Sequence, residues 1–223
     1  MSADAAAPLL QDLFRIPDGF RSAAPLVVLL HGRGADKDDL APLFEFLPKG
    51  AAAAFPRAPF PAAPWGYGPG YAWYRFLGGA RPEPESFSEG QAALDRYLAA
   101  LPARLPQPPG AIVLGGFSQG GTSALAWALA HPGRVAGVLM LSGFLAEHPS
   151  VVVEPKTAGG LEVFWGHGTL DPNIPHALGE AGRSALRAAG ARVEAHDYRM
   201  GHSIVGEEME HARAWMNSLA QVR

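Results

Sequence analysis

Three residues in separate parts of the chain, Ser118, Asp171 and His202, have the types and the order that acyl-transfer chemistry requires. A serine hydroxyl becomes an effective nucleophile when a histidine removes its proton and an acid orients that histidine. Ser118 is the centre of residues 116–120, G-F-S-Q-G, which match the G-x-S-x-G pattern of a nucleophile elbow. In such an elbow a strand turns sharply through a strained serine into a helix, and the glycines let strand and helix come close. The sequence therefore predicts a serine nucleophile at position 118.

Each of these candidates follows a segment whose sequence predicts a strand. The apolar run 111–114 leads into the elbow, and a helix-like stretch rich in Ala and Leu comes after it. Asp171 follows the strand-like run 161–165 and a glycine turn, whereas His202 follows the run 192–198 and a short break. Sites in open parallel sheets form beyond the carboxyl ends of the strands, so these placements favour one shared site.

Other residues compete for the acid and base roles. The chain has eight histidines, but His202 alone combines a glycine turn after a strand with the chain order Ser, Asp, His. Asp171 precedes Pro172, a pair that is also typical of simple turns. Its rival Asp197 lies inside a predicted strand and too near His202 in sequence to reach around it. We therefore expect Asp171 to be the acid and His202 the base.

An acyl-transfer site also needs donors for the oxyanion that develops on the carbonyl. One is expected to be the amide of Gln119, directly after the nucleophile. The other should come from the loop after an early strand, and the apolar run 25–30 is followed by H-G-R-G at 31–34. Glycines on both sides of Arg33 leave its amide free to point into a cleft.

Together these motifs resemble the phospholipase/carboxylesterase family of α/β-hydrolases, which includes acyl-protein thioesterases and small bacterial carboxylesterases. The resemblance spans nearly the whole chain, and the matching stretches are LLHGRGAD at 29–36, GFSQGG at 116–121, LSGFL at 141–145, GHGTLDPNIP at 166–175 and MGHSI at 200–204.

The resemblance implies an α/β-hydrolase fold with the triad Ser118, Asp171 and His202. It also implies an oxyanion hole formed by the amides of Arg33 and Gln119. Members that act on lipidated proteins have a first motif resembling H-G-L-G-D. This chain has H-G-R-G-A-D instead, a form more similar to the small bacterial esterases.

The whole chain, residues 1–223, is expected to form one domain, because its length suits a single core. Strand and helix patterns alternate, which predicts an α/β fold with a mostly parallel central sheet and helices on both faces. One or two antiparallel strands are expected in the first 25 residues. No large cap domain is expected, because only about twenty residues separate Met140 from Leu161. Strands are predicted near 26–30, 51–55, 111–115, 135–141, 161–166 and 192–198, and helices near 38–47, 88–101, 119–130, 175–189 and 206–220.

Composition argues against several other classes of protein. A net charge of −3 without basic runs gives no reason to expect a nucleic acid or an anionic membrane as partner. Cysteine is absent, which excludes disulfides, thiolate zinc sites and a cysteine nucleophile. His167 and Asp171 have no third ligand nearby in sequence and there is no HExxH motif, so neither a metal nor another cofactor is expected.

The location and partners are expected to be those of a small cytoplasmic enzyme. Residues 1–14 lack the basic region of a secretory signal, and the apolar run 23–30 is far too short to span a bilayer. The expected partner is a small-molecule ester, and a homodimer is left open.

Residues 56–85 form a segment of about thirty residues with little periodicity, which is long for a connection. The segment is rich in aromatic residues, so we expect an ordered loop whose rings line the substrate pocket, although the rings could instead only fix the loop to the body of the protein. The residues expected at the pocket are Trp65, Tyr71, Trp73 and Tyr74 from this segment, with Phe144 and Leu145 after the strand near 135–141.

The sequence thus favours a serine carboxylesterase that hydrolyses short- to medium-chain esters through an acyl-enzyme. An acyl-protein thioesterase or a lysophospholipase is the alternative among enzymes. A non-catalytic protein that binds a ligand in the same cleft is the alternative of another class.

Overall fold

The architecture is a central sheet covered by helices on both faces, described by a computed structural model for residues 9–219. In this range the strands are β1 (Asp12–Arg15), β2 (Leu26–Leu30), β3 (Ala52–Pro56), β4 (Phe60–Pro61), β5 (Tyr71–Ala72), β6 (Ile112–Phe117), β7 (Gly137–Leu141), β8 (Glu162–Gly168) and β9 (Arg192–Tyr198). The helices are α1 (Pro84–Ala100), α2 (Gln119–Ala130), α3 (Pro155–Ala158), α4 (His176–Ala188) and α5 (Gly206–Leu219), with short 3₁₀ turns at Ala41–Phe46, Ala63–Trp65 and Leu101–Arg104.

Seven strands form the main sheet in the order β1-β3-β2-β6-β7-β8-β9. β1 runs antiparallel to β3, and every other pairing in this sheet is parallel. All five residues of β2 and of β7 are buried, as expected for parallel strands with both faces covered. The predicted mostly parallel α/β sheet is confirmed, and β1 is the antiparallel strand expected near the start of the chain.

Alternate residues of each strand divide between two apolar cores, as the two-residue period of a strand requires. Leu26, Val28 and Leu30 of β2 pack with residues of α1, α2 and α4 on one face. Val27 and Leu29 pack with residues of α5 and with the segment around the first 3₁₀ turn on the other. The helix predicted at 38–47 is only that six-residue 3₁₀ turn.

Helix α1 begins four residues before the predicted start at 88. Pro84 occupies its first turn, where a missing amide hydrogen costs nothing. Ser86 and Glu89 have the spacing of a capping box, but both lie inside the helix and do not cap it. The Ser86 hydroxyl instead accepts a hydrogen bond from the amide of Arg75 at 3.0 Å. That bond fixes the end of the preceding loop to α1.

The long segment between β3 and α1 is ordered and contains the hairpin of β4 and β5. Its Gly70 packs directly against the backbone carbonyl of Gly34, at a separation that a Cβ atom would not permit. A bridge between Ala35 and Tyr71 fastens the hairpin to the loop after β2.

The described chain has no large cap, since the connection from β7 to β8 contains only the four-residue α3. None of the helices between residues 9 and 219 is both long enough and apolar enough to cross a bilayer.

Candidate active site

Ser118 lies in the sharp turn between β6 and α2. Its φ of 54° and ψ of −118° are unusual for a residue with a side chain, and such strain is typical of functional positions. A Cβ atom on Gly116 or Gly120 would collide with the carbonyl oxygen of Leu30 at the end of β2. The two glycines of the G-x-S-x-G motif therefore let the elbow approach the neighbouring strand.

A continuous hydrogen-bond chain joins the three residues singled out from the sequence. Nε2 of His202 lies 2.9 Å from Oγ of Ser118, and Nδ1 of His202 lies 2.7 Å from Oδ2 of Asp171. Because a carboxylate only accepts, this pairing places the imidazole proton on Nδ1 and leaves Nε2 free to accept from the serine. The arrangement can move a proton from Ser118 to His202.

Asp171 is held by the turn that precedes α4. Its Oδ1 accepts hydrogen bonds from the amides of Asn173 at 2.8 Å and Ile174 at 2.9 Å. The side chain of Asp171 is fully buried, whereas 14% of the His202 side chain is exposed. The ring of Phe117 packs 4.6 Å from the His202 ring. Asp171 is thus fixed inside the protein, and His202 reaches the surface of a cleft.

His167 also lies near Asp171, but its environment is different. Its Nε2 donates to the carbonyl of Ile174 at 3.0 Å and lies 3.8 Å from Oδ2 of Asp171. The ring is completely buried, with Gly179 packed against it, and burial lowers the pKa of His167, which keeps the ring neutral. The geometry thus joins His167 to the acid turn, and His202 to the serine.

The two amides expected at the oxyanion hole belong to residues that border the same cavity as Ser118. Within residues 9–219 neither the Arg33 amide nor the Gln119 amide donates to another protein group. Gln119 is the first residue of α2, where amides are free and the helix dipole favours negative charge. The Gln119 side chain, by contrast, is engaged with the backbone of Trp73 and Tyr74.

The cavity beside Ser118 has a volume of about 200 Å³. Two of the six expected pocket residues, Tyr74 and Phe144, line it, and the other four do not. The complete lining is Gly32, Arg33, Ala35, Asp39, Tyr74, Phe76, Phe117, Ser118, Gln119, Phe144, Asn173, Ile174 and His202.

Trp73 and Tyr71 hold the segment 56–85 to the body of the protein and do not face the cavity. The Trp73 indole is 1% exposed and donates to the carbonyl of His31 at 2.9 Å. The Tyr71 carbonyl accepts from the Gly34 amide, and its ring lies under the guanidinium of Arg57.

Trp65 and Leu145 also lie away from the cavity. The Trp65 ring packs 5.2 Å from that of Phe60, within the hairpin region. Leu145 packs against α4 beside Gly182. The prediction that Leu145 lies at the wall is wrong, because its side chain packs against α4 while Phe144 lines the cavity.

Several lining residues were not predicted to lie at the pocket. Phe76 belongs to the aromatic segment and Phe117 is the second residue of the elbow motif. The sequence shows these motifs but not the orientation of the two side chains. Asn173 and Ile174 follow Asp171 in the acid turn, and that turn could have been expected to border the site. No group of three or more His, Cys, Asp or Glu side chains suited to a metal occurs in the described part of the chain.

Comparison with known proteins places this geometry in a family. The family model described as Phospholipase/Carboxylesterase matches residues 11–220. The chain belongs to this family. Its expected resemblance is thereby confirmed, as is the α/β-hydrolase fold.

Curated relatives include proteins named for two activities. Acyl-protein thioesterase 1 of Saccharomyces cerevisiae is 32% identical over 46% of this chain and 47% of its own length. Carboxylesterase SOBER1 of Arabidopsis thaliana is 32% identical over 48% of each chain. This chain therefore spans about half the length of these two relatives. A protein of Oryza sativa subsp. japonica named as a probable carboxylesterase is 30% identical over 85% of this chain and 86% of its own.

Solved structures share the whole fold. A Bacillus cereus carboxylesterase superposes with a TM-score of 0.81 over 94% of both chains, at 22% identity. The acyl-protein thioesterase 2 of Zea mays superposes with a TM-score of 0.76 over 94% of this chain and 99% of its own, at 25% identity.

Proposed function

We propose that this single-domain chain is a serine carboxylesterase that hydrolyses short- to medium-chain esters through an acyl-enzyme. The observation that carries the proposal is the hydrogen-bond chain from Ser118 through His202 to Asp171, which opens onto a small cavity. A protein that only bound a ligand in this cleft would not need a nucleophile, a base and an orienting acid within hydrogen-bond distance of one another.

In the first half of the reaction, Oγ of Ser118 attacks the ester carbonyl carbon while Nε2 of His202 takes the hydroxyl proton. The amides of Arg33 and Gln119 donate to the oxygen, which becomes negatively charged in the tetrahedral intermediate. His202 then returns the proton to the leaving alcohol as the C–O bond breaks. The product of this half-reaction is an acyl ester of Ser118.

In the second half, water replaces the alcohol. His202 removes a proton from the water, and the resulting hydroxide adds to the acyl carbon. The second tetrahedral intermediate collapses, Ser118 recovers its proton from His202, and the carboxylic acid leaves. Asp171 stays ionised throughout and stabilises the protonated imidazole.

The size and lining of the cavity support a small substrate. A volume of about 200 Å³ lies below the range of ~300–1,000 Å³ that is usual for drug-sized ligands. The rings of Tyr74, Phe76 and Phe144 supply apolar surface on one side. An acyl chain of roughly four to eight carbons suits such a wall, since each buried methylene contributes ~0.8 kcal/mol.

Hydrolysis of thioesters or lysophospholipids is the second candidate. The similarity to Acyl-protein thioesterase 1 of Saccharomyces cerevisiae favours it, and the same residues would cleave a thioester by the same steps. A substrate of this class carries a long acyl chain, so a rate that still rises at palmitoyl would favour this candidate.

The proposal is tested by Ser118→Ala, assayed on p-nitrophenyl esters from acetyl to palmitoyl. We expect kcat to fall by about 10⁶ with the fold intact, as in other serine triads. Ser123→Ala is the matched control, because Ser123 is buried one turn further along α2 and its hydroxyl has no hydrogen-bond partner in the described structure. That variant should keep its activity. Retention of more than about one per cent of the wild-type rate by Ser118→Ala would refute the proposal.

A further inference from the structure

The side chain of Arg33 is exposed and forms part of the wall beside the cavity. Its guanidinium carbon lies 4.5 Å from the centre of the Tyr67 ring and 5.4 Å from that of Phe76. Phe76 itself lines the cavity and packs 5.9 Å from Phe144 on the same wall. The stacked rings therefore hold a positive charge at the edge of the apolar surface that faces Ser118.

Arg33 differs from the other arginines that lie over aromatic rings. Arg57 donates to Asp36 at 2.7 Å, and Arg104 donates to Asp12 at 2.6 Å, while each also stacks on a ring. In the part of the chain that the structure describes, Arg33 is exposed, lines the cavity and makes no ion pair or side-chain hydrogen bond, so its N–H groups are available to a ligand. Arg15, which lies over Phe44, donates only to the carbonyl of Ala41 at 3.5 Å, whereas the stacked guanidiniums of Arg57 and Arg104 bind carboxylates.

The charges around Arg33 restrict where an anion can bind. Asp39 also borders the cavity and is exposed, but no ion pair joins it to Arg33. The amino end of α2, at Gln119, adds positive potential on the side of Ser118. The amide at the amino end of α2 is taken by the ester carbonyl oxygen, so a second anionic group of the substrate is favoured at the Arg33 guanidinium and disfavoured next to Asp39.

We infer that Arg33 determines specificity for esters that carry a second, ionised carboxylate. This inference rests on the proposed ester hydrolysis and names the class of substrate. The ester group lies at Ser118, the carbon chain lies along the aromatic wall, and the carboxylate accepts two parallel hydrogen bonds from the guanidinium. Stacking on Tyr67 and Phe76 fixes the guanidinium in advance, which lowers the entropy lost on binding. The remote carboxylate takes no part in bond making or breaking.

The test compares each anionic ester with its neutral partner in the same protein. The substrates are the monoethyl and diethyl esters of glutaric, adipic and suberic acids, followed by ethanol release. A second pair, 4-acetoxybenzoate and its methyl ester, places the carboxylate on the leaving group instead. The measured quantity is the ratio of kcat/KM for the anionic ester to that for the neutral ester, which cancels any general loss from changes at residue 33.

We expect wild-type protein to favour the anionic ester in at least one of the two substrate sets. In Arg33→Met the ratio should fall about tenfold, because a charge-assisted pair is lost. Arg33→Lys should keep part of the preference, since lysine retains the charge but not the paired donors. High salt, about 1 M, should lower the wild-type ratio. Asp39→Asn should raise the ratio of kcat/KM for the anionic ester to that for the neutral ester.

Arg75→Met is the matched control, because Arg75 lies in the same aromatic segment but pairs with Glu83 at 3.2 Å. Its ratio should equal that of the wild type. A role of Arg33 in merely holding the wall would lower the rates on anionic and neutral esters equally and leave the ratio unchanged. An unchanged ratio in Arg33→Met, with both esters still hydrolysed, would overturn the inference and leave the proposed hydrolysis standing.

If the wild type hydrolyses none of these esters, the p-nitrophenyl esters still decide the proposed function, and binding decides the inference. Calorimetric titration of Ser118→Ala, with and without Arg33→Met, would measure the affinities for monoethyl and diethyl adipate. A preference for the monoethyl ester that depends on Arg33 supports the anion site, and equal affinities overturn it.

Discussion

The two sides of the cleft are built in different ways. On one side Ser118, Asp171 and His202 follow β6, β8 and β9, and their positions depend on the backbone pairing of the parallel sheet. The opposite wall comes mainly from the segment between β3 and α1, with Phe144 added from the loop after β7. Side-chain hydrogen bonds fasten this wall, among them Trp73 Nε1 to the His31 carbonyl at 2.9 Å.

Gln119 connects the two sides. Its side-chain oxygen accepts from the Trp73 amide at 2.8 Å, and its side-chain nitrogen donates to the Tyr74 carbonyl at 2.7 Å. Ser118, Asp171 and His202 are thus positioned by the pairing of the parallel strands, whereas the wall is held by a few side-chain hydrogen bonds and a short backbone bridge. Substitutions in the wall should alter which substrate is used more readily than they alter the chemistry.

The largest effect on kcat is expected from substitutions of the residues on the sheet side. His202→Ala should lower kcat by about 10⁶, and Asp171→Asn by about 10⁴, because the three residues act as a unit. His167→Gln, in the same acid turn, should lose stability but keep kcat within about tenfold of wild type. Steady-state kinetics measure kcat of each variant, and thermal unfolding measures its stability. An inactive His167→Gln beside an active His202→Ala would reverse the assignment of the base.

A smaller effect, on the pH dependence of stability, is expected from a buried carboxyl group that packs against β8. Glu208 of α5 packs against Gly166 of β8, and burial raises the pKa of Glu208 to about 8, although the Val205 backbone partly offsets this. The folded state therefore keeps the proton that the unfolded state loses above the ordinary glutamate pKa of 4.5. This group's stabilisation is complete below that value and is lost as the pH rises toward 8.

Glu208→Gln should remove this dependence. Between these two pKa values the stability of the wild type should fall with a slope approaching ~1.4 kcal/mol per pH unit from this group alone. Urea unfolding at a series of pH values measures the difference between the two proteins. Parallel stability curves for wild type and Glu208→Gln would contradict the expectation.

The connection between the two sides is tested at Gln119. Gln119→Ala leaves the buried Trp73 amide and Tyr74 carbonyl without partners, which costs ~1–3 kcal/mol of stability for each group. We expect a lower unfolding temperature and a KM that rises more than kcat falls. Gln91→Ala is the control, since Gln91 donates to Ser123 between α1 and α2, away from the cavity. It should leave KM unchanged, and equal KM values in the two variants would contradict the role of Gln119.

The sheet side of the cleft could be predicted from the sequence more fully than the wall. Ser118, Asp171 and His202 were identifiable because their places follow from motif and strand end, and topology brings such ends together. The wall was harder to predict. The Trp73 indole points inward and donates to the His31 carbonyl, and the Leu145 side chain packs against Gly182 of α4. Such directions depend on partners distant in sequence, which no local pattern specifies.

The smallest expected effect is the dependence of kcat/KM on the length of the acyl chain that contacts the wall. Along a series of p-nitrophenyl esters, kcat/KM should rise by roughly fourfold per carbon over the first few acyl carbons, since a buried methylene contributes ~0.8 kcal/mol. It should then fall when the chain outgrows the wall of Tyr74, Phe76 and Phe144. A profile that still rises at palmitoyl would contradict this and favour the thioesterase or lysophospholipase alternative.

Covalent labelling tests the central claim most directly. A fluorophosphonate reacts only with a serine that a neighbouring base has activated. We expect one adduct per wild-type chain, mapped by peptide mass spectrometry to Ser118, and no adduct in Ser118→Ala or His202→Ala. An unlabelled wild-type protein, or an adduct on another serine, would contradict it.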